Sequence, residues 1–331
     1  MDVISLVRER GGVMHRSSLR RAGITSYRIR AELNRGRIIP IGRNRVALPG
    51  TSPNVIRAAR LGVRLTCVTE AQRRKLWTFN DSKLHVAAPE GYSAHHPKSD
   101  GIVIHWSLGP SPVVKDVPVE PLANVLFHIA RCRPLDYAVA TFDSALNKKA
   151  ITAQELRRLA DAVGGRFAAA VAAADGRADS GGETLFRVRM AAHGVHVEPQ
   201  VVIDGHPVDG LIGRMLVIQI DEFGPHKDPK RRARDLAQDR RLSLRGYTVF
   251  RYSSWGVENQ WQQIEREVLG AIAQGLHERK PHARRSEIGR KTHDAPDEID
   301  SYIRRTVRFP AHRAMRGALN PPRGRGRSAS R

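Results

Sequence analysis

Between residues 183 and 274 the chain is punctuated in an order that few architectures accommodate. A helix over Glu183–His193 ends at Gly194, and the strand Val197–Ile203 turns at Asp204-Gly205-His206 into a second strand carrying Val208-Asp209-Gly210. Arg214–Asp221 reads as a strand around the apolar core Met215-Leu216-Val217-Ile218. Asp228 then caps, and Pro229 opens, a helix of Arg/Asp/Leu pattern that runs to Arg245. Gly246 stops it, Tyr247–Arg251 is a further strand, and a last helix is expected over Glu258–Gln274. Helix, three strands, helix, strand, helix predicts an αβ sandwich around a small mixed sheet.

The whole chain has 331 residues, enough for roughly two or three domains. Residues 1–50, 51–178, 179–278 and 279–331 are the expected divisions, in a chain that is α/β (α+β) overall. The longest apolar stretches, Phe167–Ala174 and Leu211–Ile220, fall short of the ~20 residues a spanning helix needs, so no membrane is expected. Met1–Arg10 lacks the apolar core of a secretory signal. Cys67 and Cys132 are the only cysteines, which excludes a disulfide scaffold and a four-thiolate zinc site and fits the cytoplasm.

Charge is segregated along the chain. The formal net charge is +23, of which residues 1–50 carry +8 and residues 279–331 carry +10. Basic ends on a nearly balanced body are the footprint of a polyanion binder, because each phosphate contact releases condensed counterions. The final segment ends in Arg323-Gly324-Arg325-Gly326-Arg327 with little periodicity, and is expected to be a mostly disordered basic tail with a short helix near Glu298–Arg305.

The first fifty residues read helix, helix, helix, hairpin. A short helix stops at Gly11-Gly12, a second spans Arg16–Ala22, and Thr25 caps a third over Ser26–Arg35 whose Ile29 and Leu33 face inward. Strands at Arg37–Pro40 and Arg45–Leu48 flank Gly42-Arg43-Asn44. That pattern predicts a winged helix-turn-helix, with Arg16, Ser26, Tyr27, Arg28 and Arg30 facing DNA and Arg43 and Arg45 on the wing touching phosphates. A helical docking module with solvated arginines is the other reading. The run Met14-His15-Arg16-Ser17-Ser18-Leu19 through Ala22-Gly23-Ile24 and Gly36-Arg37-Ile38 resembles the amino-terminal domain of abortive-infection type IV antitoxins. Asp116-Val117-Pro118-Val119-Glu120-Pro121, with the helix that follows to Cys132, is similar to their second domain. The resemblance implies a transcriptional autorepressor in a toxin–antitoxin pair, with a cognate toxin as partner.

Residues 55–175 mix strands at Lys83–Ala88 and Gly101–Trp106 with helices at Pro121–Arg131 and Leu135–Lys148 and one opened by Thr152-Ala153-Gln154-Glu155. No phosphate-cradling lysine loop, zinc-protease histidine pair or serine-hydrolase elbow occurs, and a spacer or interaction role is expected. His95-His96 are metal-capable, but a histidine pair in a polar loop is more often solvated.

The order of elements over residues 180–270, with acids at Glu183, Asp209 and Asp221, resembles the PD-(D/E)XK nuclease superfamily. Within it, Val208-Asp209, Gln219-Ile220-Asp221-Glu222, His226, Arg231–Leu242 and Gly246–Arg251 are similar to the very-short-patch-repair endonucleases. The resemblance implies a restriction-endonuclease-like sandwich that cuts or nicks DNA with Mg²⁺ held by Asp209, Gln219 and Asp221. Glu183 would assist, His226 would shuttle a proton, and Arg251 would neutralise a phosphate. Phosphodiester cleavage needs an ion that polarises the phosphoryl oxygen and acidifies the attacking water. Gln219 stands where these families carry an acid, and the superfamily's lysine is absent. Three readings therefore remain: a Mg²⁺-dependent endodeoxyribonuclease with no small-molecule cofactor implied, a repressor whose nuclease-like part is weakened or dead, and an RNA-directed enzyme or toxin. Glu183 also reads as the last residue of a Ser180-x-x-Glu183 capping box, Asp209 as a strand end, and Asp235 and Asp239 as solvated ion pairs.

Overall fold

Asp2 accepts the Ile4 and Ser5 N–H groups at 2.9 and 3.3 Å, which starts helix α1 (Val3–Glu9). The computed structural model describes residues 2–89, 92, 101–106, 108–222 and 229–278, with the backbone alone over 229–232. His95-His96, His226, Asp228 and the basic tail lie outside the described residues. All the described residues fall within one unit, Met1–His282, and the second unit, Ala283–Arg331, lies outside them.

Gly11 and Gly12, both at positive φ, turn the chain into β1 (Val13–His15). The His15 ring caps α2 (Arg16–Arg21), and Thr25 caps α3 (Ser26–Asn34) by accepting the Arg28 N–H. Strands β2 (Ile39–Ile41) and β3 (Arg45–Ala47) form the expected hairpin, displaced by a residue or two, and β1 adds antiparallel to β3. Val3, Leu6, Val7, Leu19, Ile29 and Val46 close the small core between them. The Arg16 N–H donates to Asn44 O at 2.8 Å, tying the start of α2 to the hairpin turn.

The next stretch holds α4 (Pro53–Leu61), β4 (Arg64–Leu65), α5 (Cys67–Arg73), β5 (Leu84–Ala87) and β6 (Ile102–His105). β4 runs antiparallel and β6 parallel to β5. Four helices follow: α6 (Leu122–Cys132), α7 (Leu135–Asn147), α8 (Ala153–Val163) and α9 (Gly165–Ala173). Thr152 caps α8 as its sequence predicts, accepting the Glu155 N–H at 3.1 Å. Val125, Leu126, Ile129, Val139, Phe142 and Phe167 form their shared core.

The final stretch is α10 (Gly181–Ala191), β7 (Val197–Ile203), β8 (His206–Ile212), β9 (Leu216–Asp221), α11 (Pro229–Leu244), β10 (Thr248–Ser253), α12 (Ser254–Asn259) and α13 (Trp261–Ala273). The sheet order is β10-β9-β8-β7, antiparallel except for the β9–β10 pair, with α11 as the crossover. Leu185, Phe186 and Met190 of α10, with Val257, Ile264 and Val268, pack on Leu216, Ile218 and Ile220 of β9. Leu242 of α11 packs with Val217 on the other side. The single helix expected over Glu258–Gln274 is two, because Ser253 caps α12 through the Gly256 N–H and the backbone leaves helical geometry at Gln260. α7 serves both cores: its Ala140 joins the C-terminal cluster, and its buried Asp143 accepts Thr184 Oγ1 and Arg187 Nη2 of α10, each at 2.8 Å.

Candidate functional site

β8 and β9 are paired as far as Gly210 and Ile218, so the next residue of each, Asp209 and Gln219, stand where these two strands part in the middle of the sheet, while β7 and β10 continue alongside them. There Asp209 Oδ2 accepts the Ile220 N–H at 2.6 Å, which fixes its carboxylate against β9. Glu183 comes from the first turn of α10. Its Oε2 accepts the Asp179 N–H at 3.0 Å and the Gln200 side-chain amide at 2.8 Å, while Ser180 Oγ accepts the Glu183 N–H at 3.3 Å. The Ser180 half of the expected capping box therefore forms, while the Glu183 carboxylate reaches one residue further back, to the Asp179 N–H, and lies within the field of Asp209.

Electrostatics bind the two acids into one centre. Burial, then the charge of Asp209, pushes the Glu183 pKa up to about 7. Burial also raises Asp209, and Asp221 and Asp179 add to it, against the Ile220 N–H and the positive charge of Arg251. Gln219, 5% exposed, has a side-chain nitrogen without a hydrogen-bond partner. In water-excluded surroundings such an orphan donor is costly, so it marks a place where an acceptor would be bound well.

Asp221 stands differently. Its Oδ1 accepts Arg251 Nη1 at 2.9 Å, and Arg251 also donates to Asp239 of α11 through Nε at 3.0 Å and Nη2 at 2.7 Å. Arg251 is thus engaged by two carboxylates, and Asp239, expected as a solvated partner of its helix neighbours, reaches the sheet instead. His226 lies outside the described residues.

At the amino-terminal end, Ser26, Tyr27, Arg28 and Arg30 are exposed on α3, with Tyr27 81% exposed. Arg43 is exposed in the hairpin turn. Arg45 on β3 and Arg16 at the start of α2 are half-buried, and Arg16 Nε is buried without a partner.

A further group of metal-capable side chains, unforeseen from the sequence, converges in the middle of the chain: Cys67, His85, His105 and Cys132. Four different elements, α5, β5, β6 and α6, bring them together, and no short motif announces them.

Fold and sites together define a mixed α/β chain with a desolvated carboxylate pair where β8 and β9 part, and a sulfur–nitrogen cluster elsewhere. No family model and no curated protein matches it. Among solved structures three chains match, one of them the catalytic domain of the homing endonuclease I-Bth0305I. That match covers 28% of this chain and 96% of that domain, at 18% identity and a TM-score of 0.25. No helix among the described residues is long and apolar enough to cross a membrane.

Proposed function

We propose that the chain is a DNA-binding protein whose C-terminal sheet carries a Mg²⁺-dependent, endonuclease-like centre at Glu183, Asp209 and Gln219. The observation that carries this reading is the pair of carboxylates Glu183, buried, and Asp209, half-buried, each with its pKa raised by desolvation and Glu183 further by its neighbour. A buried acid and a half-buried one that repel each other are relieved by a cation between them, and an all-oxygen set of two carboxylates and an amide suits hard Mg²⁺. The ion, when bound, polarises the phosphoryl oxygen and acidifies water. The chain's own residues do the rest: Ile220 N–H and Gln200 hold the acids in place, and the orphan Gln219 nitrogen donates to a phosphate oxygen. DNA as the partner is supported by the basic amino terminus and by α3, which exposes Tyr27, Arg28 and Arg30 ahead of a hairpin in the manner of a winged helix-turn-helix.

One observation favours the second reading, a repressor of the antitoxin kind that pairs with a toxin. Asp221 is held by Arg251 and Gln219 carries no charge, so the centre has one carboxylate fewer than the family pattern would supply. Calorimetric titration with Mg²⁺ and nicking of supercoiled plasmid, run on the wild type, Asp209→Ala and Gln219→Glu, separate the two. The nuclease reading expects binding and nicking by the wild type, neither by Asp209→Ala, and tighter binding with faster nicking by Gln219→Glu. If all three bind no Mg²⁺ and leave the plasmid intact, the nuclease reading falls and the repressor reading stands.

A further inference from the structure

Cys67 is the first residue of α5 and Cys132 the last of α6, while His85 lies in β5 and His105 ends β6. Their ligand atoms all lie within 4.8 Å of one another, and His85 Nδ1 is 3.1 Å from His105 Nε2. Around a tetrahedral Zn²⁺, bond lengths of about 2.0–2.3 Å set ligand atoms roughly 3.3–3.8 Å apart. The cluster is therefore already near the size of a four-ligand zinc shell. Cys67 and His85 are buried, and Cys132 and His105 half-buried.

The orienting partner such a shell requires is also present. Asp81 Oδ2 lies 3.1 Å from His85 Nε2 and is itself paired with Arg133, the residue after Cys132. With an ion on Nδ1, His85 would carry its proton on Nε2, where Asp81 accepts it; Arg133 Nη2, also 3.1 Å from that nitrogen, is held by the same carboxylate. With that proton committed to Asp81, the two facing ring nitrogens of His85 and His105 share a single proton or an ion. Cys67 takes a positive φ of 50°, a conformation that a non-glycine residue holds only when its surroundings impose it.

We infer that Cys67, His85, His105 and Cys132 bind one zinc ion as a closed structural site, separate from the carboxylate centre. Two thiolates and two neutral imidazoles form a soft-to-borderline set that suits Zn²⁺ and offers Mg²⁺ no oxygen donor. Two thiolates also cancel the ion's charge, so the buried site is neutral. Four protein ligands leave no position open for water or substrate, and the role is structural. The ion would staple α5 and α6 to a sheet whose strands have two, four and four residues, too short to be stable by pairing alone.

The test uses the full chain purified under reducing conditions without affinity-tag metal. Elemental analysis should find one zinc per chain, and Co²⁺ exchanged into the site should show tetrahedral visible bands with thiolate-to-metal charge transfer. His105→Gln and Cys132→Ser should lose stoichiometric metal. Asp81→Asn should keep the stoichiometry but weaken affinity by roughly 10–100-fold, the cost of losing an orienting partner. Asp209→Ala should keep its zinc in full, so failure of the nuclease reading leaves this one standing. A folded wild-type protein that contains no zinc and binds no Co²⁺ overturns the inference. So does a cobalt spectrum without the thiolate band, or a mass two hydrogens short, which reports a Cys67–Cys132 disulfide. If a ligand variant fails to fold, the wild-type metal content and cobalt spectrum decide alone.

Discussion

Glu183 closes the first turn of α10 and at the same time holds a buried negative charge beside Asp209, and these two duties respond oppositely to pH. Its pKa in the fold is about 7, above the ordinary 4.5, so the metal-free fold binds its proton more tightly than the unfolded chain does. The stability this supplies is full below about pH 4.5 and is lost as pH rises through about 7. Glu183→Gln removes the charge but keeps an oxygen for the Asp179 N–H. In the presence of a chelator for Mg²⁺ it should stabilise the protein at pH 8 by up to roughly 3 kcal/mol and make little difference at pH 4. Urea unfolding at the two pH values measures this, and an equal effect at both would show that no buried charge is involved. The helix-closing half of this behaviour was legible in Ser180-x-x-Glu183. The buried half was not, because it depends on Gln200 from β7 and Asp209 from β8 arriving over the same carboxylate.

At the scale of elements, α10 approaches the rest of the chain closely enough that its glycines are spatial requirements. A Cβ on Gly181 would lie 2.0 Å from the Trp77 ring, an overlap neither backbone nor indole can absorb in place. Gly181→Ala should therefore cost about 1–3 kcal/mol, seen as a lower midpoint in denaturant with an unchanged slope. On α3 the exposed Arg28 lies in the first turn, where base edges come within reach of a recognition helix. Arg28→Ala should weaken a specific site by roughly 1–3 kcal/mol and random DNA much less. Equal losses in a fluorescence titration of both would make Arg28 a phosphate contact. Long elements with caps and turn residues were readable beforehand: β7 falls on Val197–Ile203, and α8 begins where Thr152 predicts. The three-residue β1 and two-residue β4 were not, since so short a run shows no periodicity and owes its strand geometry to its partner. The same limit hid the cysteine–histidine cluster. Its members lie 18, 20 and 27 residues apart, and parallel pairing of β5 with β6 is what brings the histidines together.

Over the whole molecule, the charge on the two ends sets how affinity for DNA should respond to salt. If about six phosphates are contacted, binding should weaken on the order of 10³-fold between 50 and 200 mM salt, and a flat profile over that range would remove the electrostatic reading. α7 ties the middle of the chain to the C-terminal sheet: Asp143 accepts from Thr184 and Arg187 of α10, and Ala140 sits in the sheet's own core. Expressed apart, residues 179–278 would keep Thr184 and Arg187 without their acceptor and would turn the apolar face that met α7 toward water, so the fragment should be found in inclusion bodies. A recombination that exchanged only the C-terminal third between two such genes would inherit a helix made for a different α7. The heritable unit is therefore larger than the piece that holds the carboxylate pair, and lineages should gain or lose both halves together.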